Sequence, residues 1–201
     1  MKLYYAPGAC SLSPHIVLCE LGLAHELDRV DLQKRLTGDG QALSRINPKG
    51  YVPALQLDDG QLLTEGPAIV QYLADQKPEA GLLPPAGTLA RARVQEWLTF
   101  IGTELHKSFS PLFNPDASAD WKEAALANVQ RHFAFANQAL NQSDYLLGED
   151  FCVADAYLFT VVNWTRFLSI DLSPWPALGA FHRRVAARPA VRQALAAEGL
   201  I

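Results

Sequence analysis

The chain has 201 residues, 49% of them hydrophobic and 19% charged, which is enough apolar material for one large cored domain or two small ones. A formal net charge of -4 leaves no broad cationic face for a phosphate backbone, so nucleic acid is not an expected partner. No apolar run is long enough for a membrane span or a signal peptide, and the three scattered cysteines, Cys10, Cys19 and Cys152, suit reduced thiols in a cytoplasmic protein. They form no CxxC and no metal-ligand spacing with the five histidines, so no metal is expected.

In chain order, "KLYYA" reads as a short strand. After Cys10 the residues Leu12, Ile16, Cys19 and Leu23 fall on one helical face that ends at Gly22 to Leu23. "HELDRVDL" alternates like a second strand, and a polar segment with helix-weak glycines runs from Gln33 to Arg45. The segment "NPKGYVPALQLDDGQLLTEGPAIVQYLAD" reads as a turn, strand "ALQL", a hairpin at Asp59-Gly60, strand "QLLT" and a helix opening at Pro67. This order predicts an α/β domain with a mixed sheet over residues 1–80.

Residues 81–88, "GLLPPAGT", predict an extended linker, and residues 89–201 an all-helical domain. There Val94, Trp97, Leu98, Ile101 and Leu105 trace one apolar stripe, and Gly102, His106, Phe109 and Phe113 a second. Pro111 is expected to bend or end that helix near Lys107, because its ring crowds the carbonyl one turn earlier. Further helices are expected in "DWKEAALANVQRHFAFANQAL", "VADAYLFTVVNWTRFL" and "ALGAFHRRVAARPAVRQAL".

Three places could carry chemistry. Cys10, at the mouth of the first helix, would meet free amide protons and the positive end of the dipole, which favour thiolate; a buried structural cysteine is the competing reading. Cys19, in the apolar stripe, reads as core. Val52-Pro53 stands where a loop becomes a strand, as an edge proline or as a cis bond that turns the Val52 backbone outward. In "LTEGPAI", Gly66 reads as an N-cap and Pro67 as the first helical residue. Free amides there would take a carboxylate and Glu65 an ammonium, which suits the zwitterionic end of an amino acid.

Together, "PGACSLSPHI", "NPKGYVPALQLDDGQLLTEGPAIVQYLAD", "ELHKSFSPLF", "VADAYLF" and "ARPAV…LAAEGLI" resemble the bacterial beta class of glutathione transferases along the whole chain. The resemblance implies a thioredoxin-like first domain, an all-helical second domain, a homodimer and glutathione as cosubstrate, with no metal. It puts Cys10 beside the glutathione sulfur, Val52 and a cis Pro53 on its cysteinyl backbone, Glu65 and Gly66 on its γ-glutamyl end, and Arg35 on its glycyl carboxylate. His106 and Lys107 would close the site near the sulfur, with a cation on either one stabilising the anion. Glu104 would reach across the dimer. Tyr5, Phe109, Phe113 and Trp164 are the candidate walls for an apolar electrophile.

Three positions depart from the pattern. Thr99 stands where asparagine is usual, which puts a contact to the neighbouring subunit's glutathione in doubt, and Arg35 stands where lysine is usual. Cys152 replaces the threonine of a Thr-x-x-Asp capping box, which should leave Asp155 without its reciprocal partner at a cost on the order of 1 kcal/mol. The expected function is conjugation of the glutathione thiolate to small apolar electrophiles. Disulfide exchange, peroxide reduction or reductive dehalogenation through Cys10 would accompany it, with a second glutathione resolving because Ser13 occupies the CxxC position. The rival is a non-catalytic binding or stress-regulatory protein of the same fold.

Overall fold

Strand β1 (Lys2–Tyr5) lies inside a four-stranded mixed sheet of order β2-β1-β3-β4, which is why Leu3, Tyr4 and Tyr5 are all buried. The computed structural model describes residues 1–201. Helix α1 (Leu12–Glu20) carries the chain to β2 (Glu26–Arg29), which pairs in parallel with β1, Leu3 opposite Leu27; a parallel return needs such a crossover. One helical turn, α2 (Leu43–Ile46), forms in the segment read as polar. Strands β3 (Ala54–Gln56) and β4 (Leu62–Thr64) make an antiparallel hairpin whose turn uses Gly60 at φ 86°, and α3 (Gly66–Asp75) follows. Residues 81–88 form neither helix nor strand.

Then come α4 (Leu89–Phe100), a π-helical segment (Ile101–His106), α5 (Lys107–Phe113), α6 (Ala119–Leu140), α7 (Val153–Asn163), α8 (Thr165–Leu168), α9 (Pro176–Ala186) and α10 (Pro189–Ala197). The chain thus has the expected class, an α/β thioredoxin-like sheet part followed by helices. Pro111 does not end its helix near Lys107: it lies inside α5, and the backbone ladder changes register in the π segment just upstream. The last predicted helical stretch is two helices, broken before Pro189.

Two compact units result, Met1–Leu83 with Ala186–Ile201, and Pro84–Val185. Residues 186–201, grouped with the helical domain on sequence, therefore belong with the sheet. The cause is α1. All residues from Leu12 to Leu18 are buried, so the expected single stripe is a helix covered nearly all round, with α3 and α10 packed on it. It ends where Gly22 takes φ 58° and Leu23 N–H bonds back to the Leu18 carbonyl at 3.1 Å. Arg188 forks onto Glu20, Nε to Oε1 at 2.6 Å and Nη2 to Oε2 at 2.9 Å. Glu198, fully buried, accepts from Gly8 N–H at 2.8 Å and pairs with His15 Nδ1 at 2.8 Å.

In the second unit α7 is buried at every residue and packs against α4, the π segment and α8. At its start Asp155 is not orphaned as expected. Its Oδ2 accepts from Cys152 N–H and its Oδ1 from Leu146 N–H, both at 2.9 Å. The carboxylate half of the capping box survives the cysteine because it depends only on the backbone of residue 152.

Candidate active site

Cys10 sits in the turn between β1 and α1, partly exposed, two residues ahead of the first helical residue. The amides of Leu12 and Ser13 bond to the Ala9 and Cys10 carbonyls at 3.0 and 3.2 Å, so fewer free amide protons face the sulfur than the sequence suggested. The Ser11 N–H makes no hydrogen bond within the protein, while its hydroxyl accepts from Ala6 N–H at 3.1 Å and pins the turn. The Cys10 thiol donates to the Val52 carbonyl at 3.3 Å. Val52 is buried with Tyr4, Ala6, Val30, Leu43 and Ala54 in one apolar cluster against which Ala9 packs, so the cysteine turn and the Val52 loop are held by the same core. The Val52-Pro53 bond is cis.

Glu65, not Gly66, caps α3, with φ at 71°, a conformation uncommon outside glycine, and its carbonyl takes the amides of Ala68 and Ile69. Gly66 is the first helical residue, its α-carbon face toward Pro53: an added Cβ would stand 3.9 Å from the proline ring. The Glu65 carboxylate is engaged by two residues that the sequence reading missed. Lys49 Nζ donates to it, as does the Tyr51 hydroxyl at 2.8 Å. Those hydrogen bonds raise the pKa of both partners. Arg35, exposed and itself at φ 56°, brings its guanidinium over the same loop, Nη1 lying 3.9 Å from where a Gly50 Cβ would be. Five predicted residues, Cys10, Val52, Pro53, Glu65 and Gly66, thus sit on three connections of the first unit, β1–α1, α2–β3 and β4–α3, with Lys49, Tyr51 and Arg35 forming a polar margin. Tyr5 is 7% exposed, its phenol pKa pushed up by burial and its ring 6.1 Å from that of His15.

In the second unit the π segment ends at His106, whose Nδ1 lies 2.7 Å from the Tyr157 hydroxyl and whose ring stands edge-on to Trp164 at 4.7 Å. Phe109 and Phe113 join the same cluster, 5.4 and 5.8 Å from Trp164. Phe109 is fully buried and backs the cluster, whereas Phe113 is 47% exposed. Burial, and secondarily Lys107, lowers the His106 pKa to about 4, so near neutral pH it is an uncharged imidazole and not the cation expected from the sequence. Lys107 does not share its surroundings. With Glu104 it lines an open cleft of about 260 Å³ beside Trp121, Asn128 and Arg131, which His106 does not line. The Thr99 hydroxyl donates to the Gln95 carbonyl at 2.8 Å, its proton used on its own helix.

The sheet part of the chain, residues 8–76, matches the family model of the glutathione S-transferase N-terminal domain, and residues 100–189 that of the C-terminal domain. A curated relative, the glutathione S-transferase GstA of Escherichia coli O157:H7, is 48% identical over 200 residues, covering all of both chains. Among solved structures, BphK, a bacterial GST in a ternary complex, superposes with a TM-score of 0.98 at 56% identity, covering all of both chains. The beta-class glutathione S-transferase of Sphingomonas chungbukensis does so at 0.97 and 48%, again over both whole chains. The chain belongs to the glutathione S-transferase family. Within it the match is to the bacterial beta class, and the protein is a glutathione transferase.

Proposed function

We propose that Cys10 works directly against the sulfur of bound glutathione, and that the surrounding turns are the tripeptide's binding site. The observation that carries this is the 3.3 Å contact between Cys10 Sγ and the Val52 carbonyl. A peptide that pairs with the Val52 backbone sets its own cysteine one residue's reach from that sulfur. Glu65 and the Gly66 amide then take the γ-glutamyl ammonium and carboxylate, with Lys49 and Tyr51 holding Glu65 in place. Arg35 takes the glycyl carboxylate.

In conjugation the glutathione thiolate attacks an electrophilic carbon: a carbon–sulfur bond forms, a leaving group such as chloride departs with the bonding pair, and the thiol proton goes to solvent. Within the helical unit Phe113, the exposed member of the cluster that Trp164 and Phe109 back, supplies apolar surface for that electrophile. In exchange, the Cys10 thiolate attacks one sulfur of oxidised glutathione, forming a Cys10–glutathione disulfide and releasing one glutathione thiolate. We place the protein in the cytoplasm as a homodimer in which Glu104 meets the partner; Cys10, Cys19 and Cys152, none of them in a disulfide, fit a reducing compartment.

The test is to incubate the reduced protein with oxidised glutathione and map the adduct by mass spectrometry. One glutathione on Cys10 is expected; an adduct confined to Cys19 or Cys152 overturns the exchange chemistry. Conjugation of a chlorinated aromatic by Cys10→Ala should persist while exchange is lost.

A further inference from the structure

We propose that His15, Cys19 and His25 form a Zn²⁺ site between α1 and the turn that leads into β2. His15 and Cys19 are four residues apart on one helical face, and the left-handed Gly22 that ends α1 brings His25 back over them. One ligand atom from each of the three lies within 4.8 Å of the others, and the two imidazole rings meet edge-on with centroids 5.6 Å apart. Small side-chain rotations close that spread to the roughly 3.5 Å between donors that tetrahedral Zn–N and Zn–S bonds require.

The hydrogen bonds of the two rings favour the same reading. Nδ1 of His15 is 2.8 Å from a Glu198 carboxylate oxygen and Nδ1 of His25 is 2.8 Å from the Leu23 carbonyl, both acceptors. With each Nδ1 directed at an oxygen acceptor, Nε2 is the nitrogen left to ligate, the arrangement by which outer oxygens orient histidine ligands on a metal. Two imidazoles and a thiolate are the borderline-soft donor set that zinc prefers, and the fourth position is left for water. Packing alone accounts for His15, which is buried against Glu198; it does not account for two further soft donors, both half-buried and so reachable by an ion.

Glu198 and Glu20 supply negative charge near the sulfur, the second already paired with Arg188. On binding, the metal displaces the Cys19 thiol proton to solvent and takes the thiolate. Glu198 also accepts from Gly8, so the proposed site and the turn that carries Cys10 share one carboxylate.

The test is a Co²⁺ titration of the reduced, chelator-treated full chain, followed by competition with Zn²⁺. One equivalent should give a thiolate-to-cobalt charge-transfer band that Zn²⁺ abolishes. The band should disappear in Cys19→Ser, persist in Cys10→Ser, and need at least about tenfold more metal in His25→Ala, a substitution at a partly exposed position that should leave the fold intact by circular dichroism. Failure of the wild type to bind, a band that survives Cys19→Ser or vanishes with Cys10→Ser, or equal affinity in His25→Ala, overturns the proposal.

Discussion

His106 shows how surroundings can reverse the role a residue type suggests. Its ring is enclosed by Trp164 and Tyr157, and burial lowers its pKa from 6.5 to about 4; His182, stacked on Phe159 at 5.0 Å, is lowered to about 4 by the same cause. Between those values the unfolded chain binds protons that the folded chain refuses. Stability is therefore full above pH 6.5 and falls as the pH drops toward about 4, by a few kcal/mol for the two rings together. Urea midpoints at pH 7.5 and pH 5 should differ clearly in the wild type, and His106→Gln should remove about half of the difference; equal midpoints in the wild type would refute this. The thiols make a second case. Burial raises Cys19 to about 11 and Cys152 well above its ordinary value, so brief alkylation near pH 7.5 should modify Cys10 first, and peptide mapping that finds Cys152 labelled before it would contradict the structure.

The start of α7 is an element whose ends, more than its propensity, decide its stability. Asp155 is wholly buried and satisfies two backbone amides, so Asp155→Ala should cost about 2–4 kcal/mol by leaving both without an acceptor. The sulfur of Cys152 is only a weak acceptor at the other half of the box; Cys152→Thr should therefore raise the denaturant midpoint, by about 0.5–1 kcal/mol of stability. Elements of this kind were legible where local chemistry decides them. Strand β1 follows from its aromatic run, β2 from its alternation, β3 and β4 from the hairpin signal at Asp59-Gly60, and α3 from Pro67 at its first turn. What local pattern could not give was the route past Pro111, because the ladder adjusts in the π segment five to ten residues earlier.

For the whole chain, the reach of residues 186–201 back to α1 was not legible, since nothing in "ARPAV…LAAEGLI" says which helix it covers. The candidate site divides the same way. Cys10, Val52, Pro53, Glu65 and Gly66 announced themselves through turn chemistry, while Lys49 and Tyr51 stayed hidden because their partner Glu65 is 16 and 14 residues away. The His15–Cys19–His25 cluster was not read from the sequence: His15 and Cys19 are one helical turn apart, and His25 joins them only through the Gly22 turn. The Glu20–Arg188 fork, little exposed, ties the two ends of the first unit. Arg188→Leu should lower stability by about 1–3 kcal/mol, and the coupling measured with Glu20→Gln should be clearly favourable.

Because the ribosome makes residues 186–201 after the entire helical unit, the sheet must wait, unfinished, through the synthesis of about half the protein. Its β-α-β core can form early, but the carboxylate that secures the cysteine turn arrives only with Glu198. A nascent chain halted before Ala186 should accordingly be more readily cut by protease near Gly8 than the released protein, a vulnerability that ends when the last helix docks.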